Sequence, residues 1–171
     1  KSTSIAMMEL SSFFKKNKPD LIFTVGDRYE TIATVLSSVY MNIPVAHTMG
    51  GEVSGTIDES IRHAVTKFSH LHFPASKKAA QYIFKMGENK KNIFKVGCPR
   101  MDVIKENLKK KININELQKK IFNEGVGEKF DLKKEDFIVV MQHPVTTEYS
   151  KAGRQIRNTL EATNKLKIKK I

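Results

Sequence analysis

The sequence predicts an α/β fold built on a parallel sheet. Two observations carry that expectation: short apolar runs of strand formers alternate with segments of helical periodicity, and the turns that follow the strands are glycine-containing and polar. The chain opens in an amphipathic helical stretch, residues 4–16, with apolar positions at Ile5, Met8, Leu10, Phe13 and Phe14. Residues 21–25 (LIFTV) read as a strand, Gly26-Asp27-Arg28 as a turn, and residues 29–40 as a helix. A second strand is expected at 43–47, then a glycine-containing loop at 50–56 and a helix at 57–68. Residues 71–73 and 93–96 read as third and fourth strands, with a helix at 77–86 between them. Strands joined through helices in this way form right-handed βαβ units.

From about residue 101 to 136 the pattern changes to lysine-rich helical segments broken at Gly125 and Gly127, which reads as a crossover between domains. A buried strand at 137–141 follows, then Gln142-His143-Pro144, a helix at about 150–166, and the opening of another strand at Ile168. The expected division is 1–104 as the later part of one domain, 105–136 as linker, and 137–171 as the start of a second. One strand and one helix cannot bury a core alone, so the second domain is expected to be truncated, and an opening at Lys1 directly in a helical stretch, with no initiator methionine, gives the same expectation for the other end.

Thirty Lys+Arg against 18 Asp+Glu give a net charge of +12, which raises nucleic acid as a partner. The excess lies mostly in residues 105–134 and 151–170, mixed with Glu, Asp and Asn and with few aromatics for stacking, so a solvated lysine-rich surface is the better reading. The apolar runs are far shorter than the roughly 20 residues a membrane-spanning helix needs, which argues against a membrane partner. A single cysteine, Cys98, can form no internal disulfide and no cysteine-based zinc site, and fits a reducing cytoplasm.

Ligands of open α/β sheets bind beyond the carboxyl ends of the strands, which singles out Asp27, the stretch from His47 to Glu52, and His143. Each has a plainer alternative. Asp27 with Glu30 fits a D-x-x-E capping box, and Thr56 with Glu59 fits another. Asp58 and Arg62 are four apart on one helix face, where they can form a surface ion pair or set an acid/base group beside an orienting guanidinium. Gly50, Gly51 and Gly55 would let backbone amides approach an anion at that helix N-terminus, although turns also need glycine. His63, His70 and His72 are not joined by a ligand pattern, so no metal is expected.

Taken together, the strings GDRYETIAT, NIPVAHTMGGEVSGTIDESIRHAVTKFSHLHF, VGCPRMD and VVMQHPVTTE closely resemble the hydrolysing UDP-N-acetylglucosamine 2-epimerases of sialic and related nonulosonic acid biosynthesis. The resemblance runs in order over nearly the whole chain. It implies a GT-B architecture of two Rossmann-like domains and a cytoplasmic homo-oligomer, dimer or tetramer. It further implies a nucleotide-sugar substrate, epimerisation at C2 with loss of the nucleotide, and no cofactor. By the same resemblance Asp27, Asp58 and His143 match catalytic positions, and Arg28, Gly51, Glu52, Arg62 and His63 match substrate-binding ones. A non-hydrolysing 2-epimerase or a GT-B glycosyltransferase is the alternative, and the 171 residues alone are expected to be inactive. One departure stands out: Met49 occupies the place of a carboxylate common in the family, and the HTMGGE form is similar to a branch acting on GDP-N-acetylglucosamine.

Overall fold

The computed structural model describes residues 1–125 and 127–171. They divide into two compact units, Lys1–Asp102 and Val103–Ile171.

The first unit opens with α1 (Ser2–Asn17), which ends where Lys18 turns left-handed at φ 45° and returns its N–H to Phe14. Then follow β1 (Ile22–Val25), α2 (Tyr29–Val39), β2 (Val45–Thr48), α3 (Ile57–Phe68), β3 (Leu71–Phe73) and α4 (Lys77–Lys85). The three strands form a parallel sheet in the order β1-β2-β3, with Thr24 beside His47 and His47 beside His72. The central strand β2 is buried throughout, as expected of a parallel strand covered on its faces. Val35 of α2, Val45 of β2 and Val65 of α3 are fully buried together, with Ile22, Ile32, Val39 and Ile61 packed against them. Each such side chain contributes about 1.5–3 kcal/mol relative to exposure. The core therefore fastens α2 and α3 onto the sheet whose carboxyl ends carry the polar turns.

Prolines trim two expected strands. The second begins at Val45 rather than Ile43, because Pro44 has no N–H to give a ladder; its carbonyl instead accepts from Ile22 N–H at 2.9 Å. The expected fourth strand, 93–96, does not form. Ile93 makes a single parallel bridge with His72, Phe94 N–H donates to the His72 carbonyl at 2.8 Å and Val96 N–H to the Pro74 carbonyl at 3.3 Å. Pro74 directly after β3 supplies acceptors but no donor, so the pairing cannot become reciprocal.

The second unit takes in most of α5 (Pro99–Leu108), then α6 (Ile114–Glu124), β4 (Phe137–Ile138), a 3₁₀ segment (Thr146–Lys151), α7 (Ala152–Asn164) and β5 (Lys169–Lys170). Asn113 caps α6 through Glu116 N–H. β4 and β5 pair in parallel around α7, forming one βαβ unit. The strand expected at 137–141 is assigned over only two residues, although bonds from Val140 N–H to the Ile171 carbonyl (2.8 Å) and from Ile171 N–H to the Ile138 carbonyl (2.9 Å) continue its direction. Phe130 is the packing centre, with ring centroids 5.2 Å from Phe122 and 6.0 Å from Phe137.

Candidate active site

A hydrogen-bonded polar constellation lies at the carboxyl end of the first sheet. Gly26 ends β1 with φ +73°, a conformation that glycine adopts without a Cβ penalty, and this turns Asp27 out over the sheet edge. Asp27 Oδ2 accepts from both Nε (2.8 Å) and Nη2 of Arg62 on α3. Arg62 Nη1 donates to the carbonyl of Glu52, and Nη2 also lies 3.4 Å from Ser54 Oγ. The Arg62 side chain retains 8% of its exposure and that of Asp27 23%, so the guanidinium is sequestered while one edge of the carboxylate stays reachable. A guanidinium in this position fixes three elements at once: the β1 turn, the 50–56 loop and α3.

This arrangement overturns both plainer expectations for the two Asp residues. Arg62 does not pair with Asp58 along the helix; it reaches back to Asp27, 35 residues earlier. Asp27 does not cap α2 either. Arg28 is the N-cap residue and makes no side-chain cap, while Glu30 turns to Arg28 at 3.2 Å. Arg28 is exposed, and its guanidinium pKa is raised by the hydrogen bond to Glu30. Asp58 is exposed in the first turn of α3, one turn before Arg62.

The second expected capping box forms with altered partners. Thr56 is the N-cap of α3 but its side chain makes no cap bond. Glu59 reaches past it and accepts from Gly55 N–H and from Ser54 N–H (2.6 Å), and these amide bonds, that of Gly55 foremost, lower the Glu59 pKa. Those two amides, which the glycine loop would otherwise offer to an anion, are therefore already engaged. Gly51 is buried at φ +78°, where a Cβ would stand 2.3 Å from the Ala79 carbonyl oxygen, so its place is set by close approach to α4. With Glu52, Val53, Ser76, Lys78 and Tyr82 it lines a cavity of about 310 Å³.

The histidines separate by partner. His63 Nε2 lies 3.6 Å from Glu59, His70 Nδ1 accepts from Val45 N–H at 3.1 Å, and His72 Nε2 meets Glu88 at 3.3 Å. Burial lowers the His72 pKa against the opposing charge of Glu88. His47 is 1% exposed, its Nε2–H donating to the Gly26 carbonyl at 2.8 Å, and burial holds its pKa down at about 4. The sequence puts His47 at the end of the expected second strand and gives it no role; its signal is an imidazole in a short strand, Val45-Ala46-His47-Thr48, that is buried at every position. His143 lies in the second unit, exposed, after β4 and before the 3₁₀ segment. Among the described residues no helix is long and apolar enough to cross a membrane.

A parallel sheet with a clamped carboxylate beyond its strand ends defines the class: an α/β protein of the Rossmann-like kind, a fold whose ligands sit at the carboxyl edge of the sheet. The profile of the UDP-N-acetylglucosamine 2-epimerase family matches residues 1–171, and the chain belongs to that family. It is 34% identical over 156 residues to a Legionella pneumophila protein named UDP-N,N'-diacetylbacillosamine 2-epimerase (hydrolyzing), covering 91% of this chain and 39% of that one. It is 33% identical over 168 residues to the Campylobacter jejuni GDP/UDP-N,N'-diacetylbacillosamine 2-epimerase (hydrolyzing), covering 98% and 41%. The chain thus spans about two fifths of the length of these relatives. Among solved structures, the Methanocaldococcus jannaschii UDP-GlcNAc 2-epimerase in complex with UDP-GlcNAc and UDP superposes with a TM-score of 0.77 at 21% identity, covering 95% of this chain and 43% of that one. The Neisseria meningitidis UDP-GlcNAc 2-epimerase bound to UDP-GlcNAc gives 0.76 at 20% identity, covering 95% and 44%. The GT-B fold expected from the sequence is the fold of these neighbours.

Proposed function

We propose that the protein is a hydrolysing 2-epimerase of a nucleoside-diphosphate 2-acetamido sugar, releasing the nucleotide and the free sugar inverted at C2. The observation that carries this reading is the Asp27 carboxylate, held by Arg62 at the sheet's carboxyl edge, on the helix-and-loop framework that also presents Asp58. The names of the relatives from L. pneumophila and C. jejuni support the hydrolysing outcome.

The chemistry explains why two carboxylates are needed. The C2 proton of the substrate is not acidic, so cleavage of the C1–O bond runs ahead and builds oxocarbenium character. A base then removes the C2 proton, and the nucleoside diphosphate leaves with the C1–O electron pair. The product of this elimination is a 2-acetamidoglucal. Water adds at C1 while a proton is delivered to C2 from the opposite face, giving the manno configuration. Asp27 and Asp58 are assigned these two acid/base roles, which require groups within hydrogen-bond reach of the transferred proton. Arg62 acts through Asp27 and the Glu52 carbonyl, holding both in place, since bonds to Asp27, Glu52 and Ser54 take up most of its donors. Gly51 and Glu52, which line the cavity beside α4, and His63 of α3 are assigned to the sugar, and the exposed Arg28 at the start of α2 to the diphosphate. In the second unit, residues 137–171 are assigned as the start of the nucleotide-binding domain, with His143 at its strand-to-helix turn neutralising charge on the leaving group. Residues 105–136 are the crossover.

UDP-N-acetylglucosamine and GDP-N-acetylglucosamine are the substrates argued from the sequence. A second reading, nucleotide-linked N,N'-diacetylbacillosamine, is favoured by the names of the two relatives that match more than nine tenths of this chain. Incubation of the intact protein with each nucleotide sugar separately, followed by ³¹P and ¹H NMR, tests both. Free nucleoside diphosphate with a free C2-inverted sugar is expected from one of them. An intact nucleotide sugar inverted at C2 would move the protein to the non-hydrolysing reaction.

A further inference from the structure

His47 is enclosed beside the candidate site at 1% exposure, and the mechanism proposed for Asp27 and Asp58 gives it no task. Its ring stands between the two elements that carry the Asp27–Arg62 pair. On one side Nε2 is 2.8 Å from the carbonyl oxygen of Gly26, the residue immediately before Asp27. A carbonyl only accepts, so the hydrogen-bond network places the ring proton on Nε2 and leaves Nδ1 as an acceptor. On the other side Nδ1 is 3.3 Å from Thr66 Oγ1, one turn after Arg62, and the same hydroxyl lies 3.0 Å from the Arg62 carbonyl oxygen. That hydroxyl has one proton for two acceptors, which couples the imidazole to the backbone of Arg62 itself.

The loop closes over the ring. Gly50 is buried, and a Cβ there would come within 3.0 Å of His47 Nδ1 and 2.9 Å of Thr66 Oγ1, so the backbone seals the pocket without leaving room for a side chain. The bond to Thr66 is buried, so losing either partner there would leave a polar group unsatisfied, while the bond to Gly26 is part-buried. Gly26 at φ +73° has no side chain to hold the turn; its N–H donates to the Thr48 carbonyl at 3.1 Å, and the imidazole bond holds its carbonyl from the other side of the peptide.

We propose that His47 is a positioning residue for the reaction: one imidazole, bonded to Gly26 on β1 and to Thr66 on α3, sets the register of the Asp27 carboxylate against the Arg62 guanidinium. The proposal rests on the functional reading of Asp27 given above. A group displaced by about an ångström from its working geometry costs about a hundredfold in rate, which is the scale at stake. The depressed pKa of about 4 agrees with a ring that remains a fixed neutral donor–acceptor across the physiological range.

The test uses the intact protein with ¹⁵N-labelled histidine and arginine, in wild-type, His47→Leu and His47→Gln forms. Glutamine places an N–H donor where Nε2 stands; leucine keeps bulk and removes both nitrogens. Wild type is expected to show a His47 Nε2–H resonance that does not titrate between pH 5.5 and 8, and a slowly exchanging Arg62 Nε–H, assigned by its loss in Arg62→Lys. His47→Leu is expected to lose the slow Arg62 resonance and about 100-fold in kcat with KM within about threefold, and His47→Gln to regain the resonance and most of the rate. A His47 ring protonated on Nδ1 or titrating near 6.5 overturns the proposal. So does an unchanged Arg62 resonance in His47→Leu, a loss seen wholly in KM, or equal loss in the two variants. If wild type turns over no nucleotide sugar, the functional reading fails, while the two resonances still decide the role of His47.

Discussion

Two strand-to-helix turns carry the polar residues of this chain, and they differ in what surrounds them. Gly26-Asp27-Arg28 follows a strand paired to the wholly buried β2, and Asp27 is gripped by a guanidinium from 35 residues away. Gln142-His143-Pro144 follows β4, whose assigned pairing spans two residues, and within this chain the second unit supplies it a single βαβ unit. Both turns obey the same local grammar of apolar strand, polar turn and helix. What distinguishes them is long-range packing: α2 and α3 share a core with the first sheet, and that core fixes the geometry at its edge. A family-like string can therefore mark a candidate turn, but only burial and a distant partner give it a defined shape.

The contrast can be broken or sharpened by substitution. Asp58→Asn has the largest expected effect, a loss of about a thousandfold in kcat, with stability within about 0.5 kcal/mol of wild type because the side chain is exposed. Nucleotide release assays with parallel urea unfolding check both halves. Arg62→Ala removes one partner of a largely buried pair and should cost about 3–5 kcal/mol in urea unfolding; a change below about 1 kcal/mol would show the clamp to be superficial.

Acidification should act on the first unit through its histidines. His47 binds its proton at about 4 when folded and near 6.5 when unfolded, so the unfolded state holds more protons between those values. Stability is then complete above about pH 6.5 and falls as pH drops towards 4, by about 3 kcal/mol from this residue, with burial of His72 adding in the same direction. Thermal unfolding from pH 7.5 to 4.5, compared with His47→Gln, measures the slope. Gly51→Ala meets both a positive φ and the Ala79 carbonyl and should cost about 1–3 kcal/mol. His143→Ala should change stability by less than about 0.5 kcal/mol, in keeping with an exposed turn.

Much of the fold was legible in the sequence. The helix expected at 57–68 and the strand at 71–73 coincide with α3 and β3, because both begin and end at clear changes of hydrophobic period. Pro44 and Pro74 explain where the strand reading went astray, since each interrupts a ladder that the apolar pattern alone would extend. The candidate site was legible as a set of residues but not as a set of partners. Spacing favoured Asp58 for Arg62, and only tertiary structure could bring Asp27 there instead. Likewise the pattern S/T-x-x-E marked Glu59 as a capping residue, while the amides it takes, those of Ser54 and Gly55, depend on how the loop folds back.

The central claim is that carboxylates on the first unit exchange the C2 proton while the nucleotide departs. The most direct measurement is turnover of the nucleotide sugar in D₂O by wild type and Asp58→Asn, with ¹H NMR of the released sugar. Wild type is expected to yield free sugar carrying deuterium at C2 in inverted configuration, and the variant to bind the nucleotide sugar without releasing nucleotide. Released sugar that keeps its original C2 hydrogen, or undiminished release by Asp58→Asn, would contradict it.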